Sequence, residues 1–141
     1  MPPLNGIDRG INGNLLKALE EIGHGAQIAV VDASYDIPPA AEVADYQGDS
    51  SARALKGILD LVPLDDANGY PNVSVMVPHF PQEPGTALEA FEEALTVEPG
   101  LTGQRDFYTL ANNPEKHTLF VRTRDEKAFA CALFVVGHSQ E

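Results

Sequence analysis

Apolar residues recur at helical spacing in some stretches of the chain and crowd together without spacing in others, and the two kinds alternate from end to end. Leu15, Leu16, Leu19 and Ile22 fall on one side of a first helix, with Asn12 or Asn14 to cap its start and Gly23 suited to the left-handed residue that closes it. Ile28 to Val31 is a continuous apolar run, the pattern of a strand buried on both faces. A second helix carries Leu55, Ile58, Leu59 and Val62 on one face, capped by Asp49 or Ser50 and stopped by Pro63. Asn72 to Pro78 reads as a strand. Thr86 caps a third helix that turns Leu88, Phe91 and Leu95 inward and Glu89, Glu92 and Glu93 to solvent, ending at Pro99-Gly100. Phe107 to Leu110 predicts a short helix closed by Asn112-Asn113-Pro114, and His117 to Thr123 and Phe129 to Val136 predict two strands.

This alternation predicts an α/β fold, three layers α/β/α, with helices on both sides of a mainly parallel or mixed sheet. Ligands of such sheets collect at strand ends, where Asp32 falls. The proline-rich stretches 36–40 and 78–84 read as loops bordering a site. With no repeat, linker or low-complexity segment, the 141 residues read as one domain, 1–141.

Charge narrows the partners. Nine Lys and Arg against 21 Asp and Glu give a net charge of −12, which argues against nucleic acid or an anionic membrane, since both attract mainly through phosphate. Met-Pro-Pro-Leu-Asn-Gly at the start has neither a basic segment nor an apolar one, and no apolar run is long enough to span a bilayer. A lone cysteine, Cys131, fits a reducing compartment, so the expectation is a soluble, cytoplasmic protein. His24, His79, His117 and His138 lack the spacing of a zinc site, and there is no Cys-x-x-Cys, nucleophile elbow, phosphate loop or dinucleotide glycine pattern, so neither metal nor cofactor is expected.

The chemistry that remains is concentrated around the first strand. His24, held between Gly23 and Gly25, and Asp32 stand at its two ends and read as a general acid and a hydrogen-bond acceptor serving one pocket. The plainer readings are a solvent-exposed helix cap for His24 and a cap on the Ala33-Ser34 turn for Asp32. Arg105, just before Phe107-Tyr108, reads either as a holder of hydroxyl groups or as a surface ion pair. Tyr108, Asn112 and Asn113 offer neutral groups suited to sugar hydroxyls or to a helix end. Cys131, with Lys127 as its one close basic residue, reads as a buried thiol rather than a nucleophile.

Gly6-Ile7-Asp8, the helix Leu15-Leu16-Lys17-Ala18-Leu19-Glu20-Glu21-Ile22, Gly23-His24-Gly25 and Val30-Val31-Asp32-Ala33 together resemble the start of the ribose pyranase and fucose mutarotase family (RbsD/FucU). The resemblance continues through residues 54–65, Arg105 to Tyr108 and the last strands with Gly137, so it spans nearly the whole chain, and the second helix is closer to the fucose branch. It implies an isomerase that interconverts anomers, or pyranose and furanose forms, of a free monosaccharide without a cofactor. It also implies a ring-like homo-oligomer with sites near subunit boundaries. On this resemblance His24 matches the catalytic histidine, Asp32 the substrate-binding aspartate, and Arg105 the family's arginine, with one residue fewer before Phe107-Tyr108. The family's tyrosine and asparagine near the last strand are replaced here by Phe129 and Cys131. A phenyl ring and a thiol offer little to a sugar hydroxyl. The sequence therefore also fits a sugar-binding or regulatory member with weakened catalysis, or a structural assembly protein. Tyr35, Tyr108, Asn112 and His117 are the candidate replacement donors.

Overall fold

The computed structural model describes residues 7–23, 25–62, 73–77, 88–95, 100–127 and 129–137. Its elements in chain order are α1 (Gly13–Glu21), β1 (Gln27–Val31), β2 (Glu42–Asp45), α2 (Ser51–Leu59), β3 (Val73–Val77), α3 (Leu88–Ala94), β4 (Gly100–Gly103), α4 (Gln104–Ala111), β5 (Thr118–Arg122) and β6 (Ala132–Val135). The strands form one sheet in the order β2-β5-β1-β6-β3-β4. Only β6 runs against the others: β1 pairs in parallel with β5, β5 with β2 and β3 with β4, while β6 is antiparallel to both β1 and β3. The mixed α/β sheet expected from the alternation is thus observed.

Alternation along each strand divides the core in two. Ile28, Val30, Val75, Leu119, Val121 and Phe134 face Leu15 and Leu19 of α1, Leu55 and Ile58 of α2 and Phe91 of α3. Ala29, Val31, Met76, Phe120 and Leu133 face Phe107 and Ala111 of α4. Every residue of β1 is buried, which explains the unbroken apolar run that marks this strand.

Several element ends differ from the sequence expectation. Asn12 and Ser50 cap as expected, accepting from Leu15 N at 2.9 Å and Arg53 N at 3.2 Å. Gly23, however, does not close α1 in a left-handed turn. The helix ends at Glu21 with Ile22 extended, and the positive φ lies at Gly25 (85°). β6 begins at Ala132, so Phe129 and Cys131 precede it rather than belong to it. The edge strands β2 and β4 were not expected at all. Their four residues are mostly exposed, and Glu42-Val43-Ala44-Asp45 and Gly100-Leu101-Thr102-Gly103 carry no apolar period, as befits edges that must resist further pairing. Pro63, Thr86, Pro99 and the 78–84 loop lie outside the described residues. Among the described residues no helix is long and apolar enough to cross a membrane.

The segment before α1 is tied to the sheet through Tyr46, whose hydroxyl donates to Asp8 Oδ1 at 2.7 Å, beside the Gly10 amide at 2.8 Å. Arg53 Nε stands 3.4 Å from the other carboxylate oxygen. The Tyr46 ring lies so close to Gly10 and Gly48 that a Cβ there would stand 2.3 and 2.6 Å from it, which is why neither position accepts a side chain. Burial works against ionisation of Asp8, but Tyr46, Gly10 and Arg53 together outweigh it and hold the carboxyl below its usual range. A carboxylate easier to ionise folded than unfolded adds stability that is fully present above the unfolded value of 3.8 and lost as pH falls through the folded value. Asp8→Asn is therefore expected to flatten the acid limb of the stability profile below that pH. Denaturation at a series of pH values measures this, and identical acid slopes for the two proteins would refute it.

Candidate functional site

Because β6 is antiparallel and its neighbours are parallel, the start of β6 lies at the same edge of the sheet as the ends of β1, β3, β4 and β5. The topology therefore brings Asp32, Thr123 to Asp125, Phe129, Cys131 and the α4 start to one edge. That edge is where open α/β sheets hold ligands. Asp32 is 6% exposed, and its Oδ1 accepts from Ser34 N at 3.1 Å and Ser34 Oγ at 3.0 Å. It does cap the turn, as its plainer reading holds, and these donors fix the carboxylate at the mouth of the sheet. β1 and β6 are neighbours, so Cys131 lies beside Asp32. Burial first, and then the Asp32 carboxylate, push the free Cys131 thiol well up from its ordinary range. It stays protonated at neutral pH and is no nucleophile.

Phe129 is half-buried on the Ala29–Val31 face and has φ of 59°, the left-handed region that a bulky residue rarely occupies. Tyr35 turns back onto the same face. It stacks on Tyr108 with ring centres 4.4 Å apart, and Tyr108 Oη accepts from Asp36 N at 3.2 Å. Arg105 is exposed in the first turn of α4, and among the described residues no ion pair engages it. β4, which leads into α4, is three strands away from β1, and α4 then crosses back to place Phe107 and Tyr108 against Tyr35.

A buried network escaped the sequence reading. Thr123 Oγ1 donates to Val31 O at 2.9 Å and accepts from Asp125 N at 3.2 Å, while Ser51 Oγ lies 2.9 Å from it. Asp125, 5% exposed, takes Ser51 N at 2.9 Å on one oxygen and Lys127 N at 2.9 Å on the other. It caps α2 from across the sheet and holds the β5 end beside Asp32, aided by Ala33 N to Asp125 O at 2.9 Å. The one signal for it was an acid two residues beyond an apolar strand. Asp125→Ala orphans two amides, at about 1 to 3 kcal/mol each where buried. A loss of about 2 to 4 kcal/mol in urea denaturation is expected, and one below about 0.5 kcal/mol would contradict this role.

A cleft of about 290 Å³ opens at this edge beside Ala33, Thr123 and Arg124, with the Arg122–Asp45 pair (2.8 Å) on its wall. At the opposite edge a cleft of about 500 Å³ is lined by Ala41, Glu42, Asn112, His117 and Phe120, with His117 and Glu42 3.6 Å apart. Asn112 and His117 are therefore remote from Asp32 in their own chain, whereas Tyr35 and Tyr108 stand near it. His24 lies outside the described residues; Gly25, to which it is joined, donates to Val136 O at 2.9 Å. Gly25 and Asp32 stand at opposite ends of β1, about 20 Å apart at the rise of an extended chain.

A family model described as the RbsD / FucU transport protein family matches residues 5–139. No protein of curated function matches the chain. Among solved structures, the protein Atu2016 superposes with a TM-score of 0.81 at 22% identity, covering 99% of this chain and 99% of that one. The fucose mutarotase of Streptococcus pneumoniae in complex with L-fucose gives 0.78 at 23% identity over 97% and 100%. Bacillus subtilis RbsD complexed with D-ribose gives 0.69 at 15% over 92% and 95%. At these identities the structures speak for a shared fold.

Proposed function

The chain belongs to the RbsD / FucU transport protein family, and from that premise we propose that it interconverts the ring forms of a free monosaccharide, acting as a mutarotase or pyranase. The observation that carries the proposal is the sheet edge at Asp32: a buried carboxylate held by Ser34, flanked by Phe129, Cys131 and Tyr35. Sugars in complex with two structures of the same fold, L-fucose in one and D-ribose in the other, support a monosaccharide as its ligand.

The reaction needs only proton transfer. His24, as imidazolium, gives its proton to the ring oxygen while water or a neighbouring acceptor takes the proton of the anomeric hydroxyl. The bond from the anomeric carbon to the ring oxygen breaks, leaving an open-chain carbonyl. Rotation about the adjacent bond and reversal of both transfers close the other form. Asp32 holds a sugar hydroxyl, Arg105 a second, and no cofactor takes part. Gly25 and Asp32 lie about 20 Å apart along β1, so a site that uses both His24 and Asp32 on one sugar draws them from two copies of the chain. The proposal therefore includes a homo-oligomer, ring-like as in the family, with the site at the subunit boundary, in the cytoplasm.

A second reading is sugar binding without turnover, for which the protonated thiol of Cys131 and the phenyl ring of Phe129 are the favouring observation. Exchange spectroscopy on the anomeric protons of L-fucose, D-ribose and D-galactose separates the two. Cross-peaks that grow faster than the spontaneous rate identify a mutarotase and its sugar, L-fucose being the first expected from the second helix. Saturable binding with no added exchange selects the regulatory reading, and the absence of both for every sugar rejects the proposal.

A further inference from the structure

Tyr35 is 9% exposed, and its hydroxyl is the one buried side-chain nitrogen or oxygen among the described residues without a hydrogen-bond partner. The ring around it is fully determined. Tyr108 stacks on it at 4.4 Å with 3° between planes, Phe107 meets it edge-on at 6.0 Å, and Phe120 lies tilted at 5.8 Å. Nothing in this aromatic packing requires an oxygen, and phenylalanine would fill the same space without leaving a polar atom unpaired. A buried hydroxyl kept in this state calls for a reason outside the packing of the chain itself.

The surroundings supply one. Tyr35 follows Asp32 by three residues and packs in the same cluster as Cys131 and Phe129, the two positions whose side chains offer least to a polar ligand. We infer that the Tyr35 hydroxyl is a specificity-determining contact for the sugar, donating to one of its hydroxyl oxygens at the Asp32 edge, with the half-buried Phe129 ring shifting to admit it. The inference rests on the monosaccharide reading above and names the residue that supplies its missing polar contact. Burial, with Tyr108, Cys131, Asp32 and Asp36 nearby, raises the phenol from its ordinary range, so it keeps its proton and donates at neutral pH. The left-handed backbone of Phe129 is a conformation that stores strain, as residues beside ligands often do.

The test is calorimetric titration of wild type, Tyr35→Phe and Tyr35→Phe/Phe129→Tyr with L-fucose and with D-ribose, alongside thermal unfolding of each protein. Tyr35→Phe is expected to weaken binding of the preferred sugar about tenfold while its melting temperature stays level or rises, because an unpaired buried polar group has been removed. Returning a phenol at position 129 is expected to restore part of that affinity. Equal binding by wild type and Tyr35→Phe would overturn the role of Tyr35 while leaving the monosaccharide reading intact. A wild-type protein that binds neither sugar would overturn both.

Discussion

Replacement of His24 by alanine is expected to return ring-form exchange to its spontaneous rate. A positioned acid or base commonly contributes about 10²- to 10⁴-fold, and water opens sugar rings slowly unaided, so losing the proton delivered to the ring oxygen removes the acceleration. The variant should fold as wild type does. The backbone bonds from Ala26 N to Gly23 O and from Gly25 N to Val136 O hold the flanks of position 24 without its side chain, and α1 ends before it. Anomeric exchange by wild type and His24→Ala, compared at equal protein concentration with unchanged circular dichroism, measures the effect. A fully active variant would remove His24 from the mechanism.

The largest loss of stability is expected from Phe107→Ala. This ring has no solvent exposure and is the principal side chain by which α4 covers the Ala29, Val31 and Phe120 face. Removing a buried phenyl ring costs about 3 to 5 kcal/mol, part in transfer and part in the cavity left behind. Domains of this size are stable by about 5 to 15 kcal/mol, so about a fifth or more of the total is at stake. The consequence extends to the site, because Phe107 also supports the edge of Tyr35, and the Tyr35–Tyr108 stack is expected to loosen with it. Urea midpoints with an unchanged slope should show the loss, and sugar affinity should fall in parallel. A change under about 1 kcal/mol would mean that α4 is held by other contacts.

The sequence made some of this legible for physical reasons. α1, α2, β1, β3 and β5 were readable because each lays an apolar face or run against the core, and burial is what hydrophobic pattern encodes. β2 and β4 were not, since an exposed edge strand of four residues leaves no period to read. The start of β6 was misplaced by three residues: Phe129 and Ala130 look like strand, but Phe129 takes a left-handed turn that its side chain does not announce. At the site, Asp32 stood out as a carboxylate ending an apolar run. The arrangement around it was hidden in tertiary structure, because Asp125 reaches Ser51 across 74 positions and Tyr35 meets Tyr108 only after α4 crosses back over the sheet. Likewise, His24 and Asp32 were read as serving one pocket from the two ends of β1, and the length of that strand, which sets Gly25 and Asp32 at opposite edges of the sheet, is what turns that reading toward two copies of the chain.

That separation gives the account its most direct test. His24→Ala and Asp32→Ala proteins, each purified alone, are mixed under conditions that allow subunits to exchange, and anomeric exchange of the preferred sugar is measured before and after. If His24 of one copy and Asp32 of another act on the same sugar, each variant alone stays at the spontaneous rate and the mixture regains a fraction of wild-type activity, because some boundaries then carry both intact residues. Activity that remains absent in mixed oligomers, with wild type active beside them, would contradict a site shared between two copies of the chain.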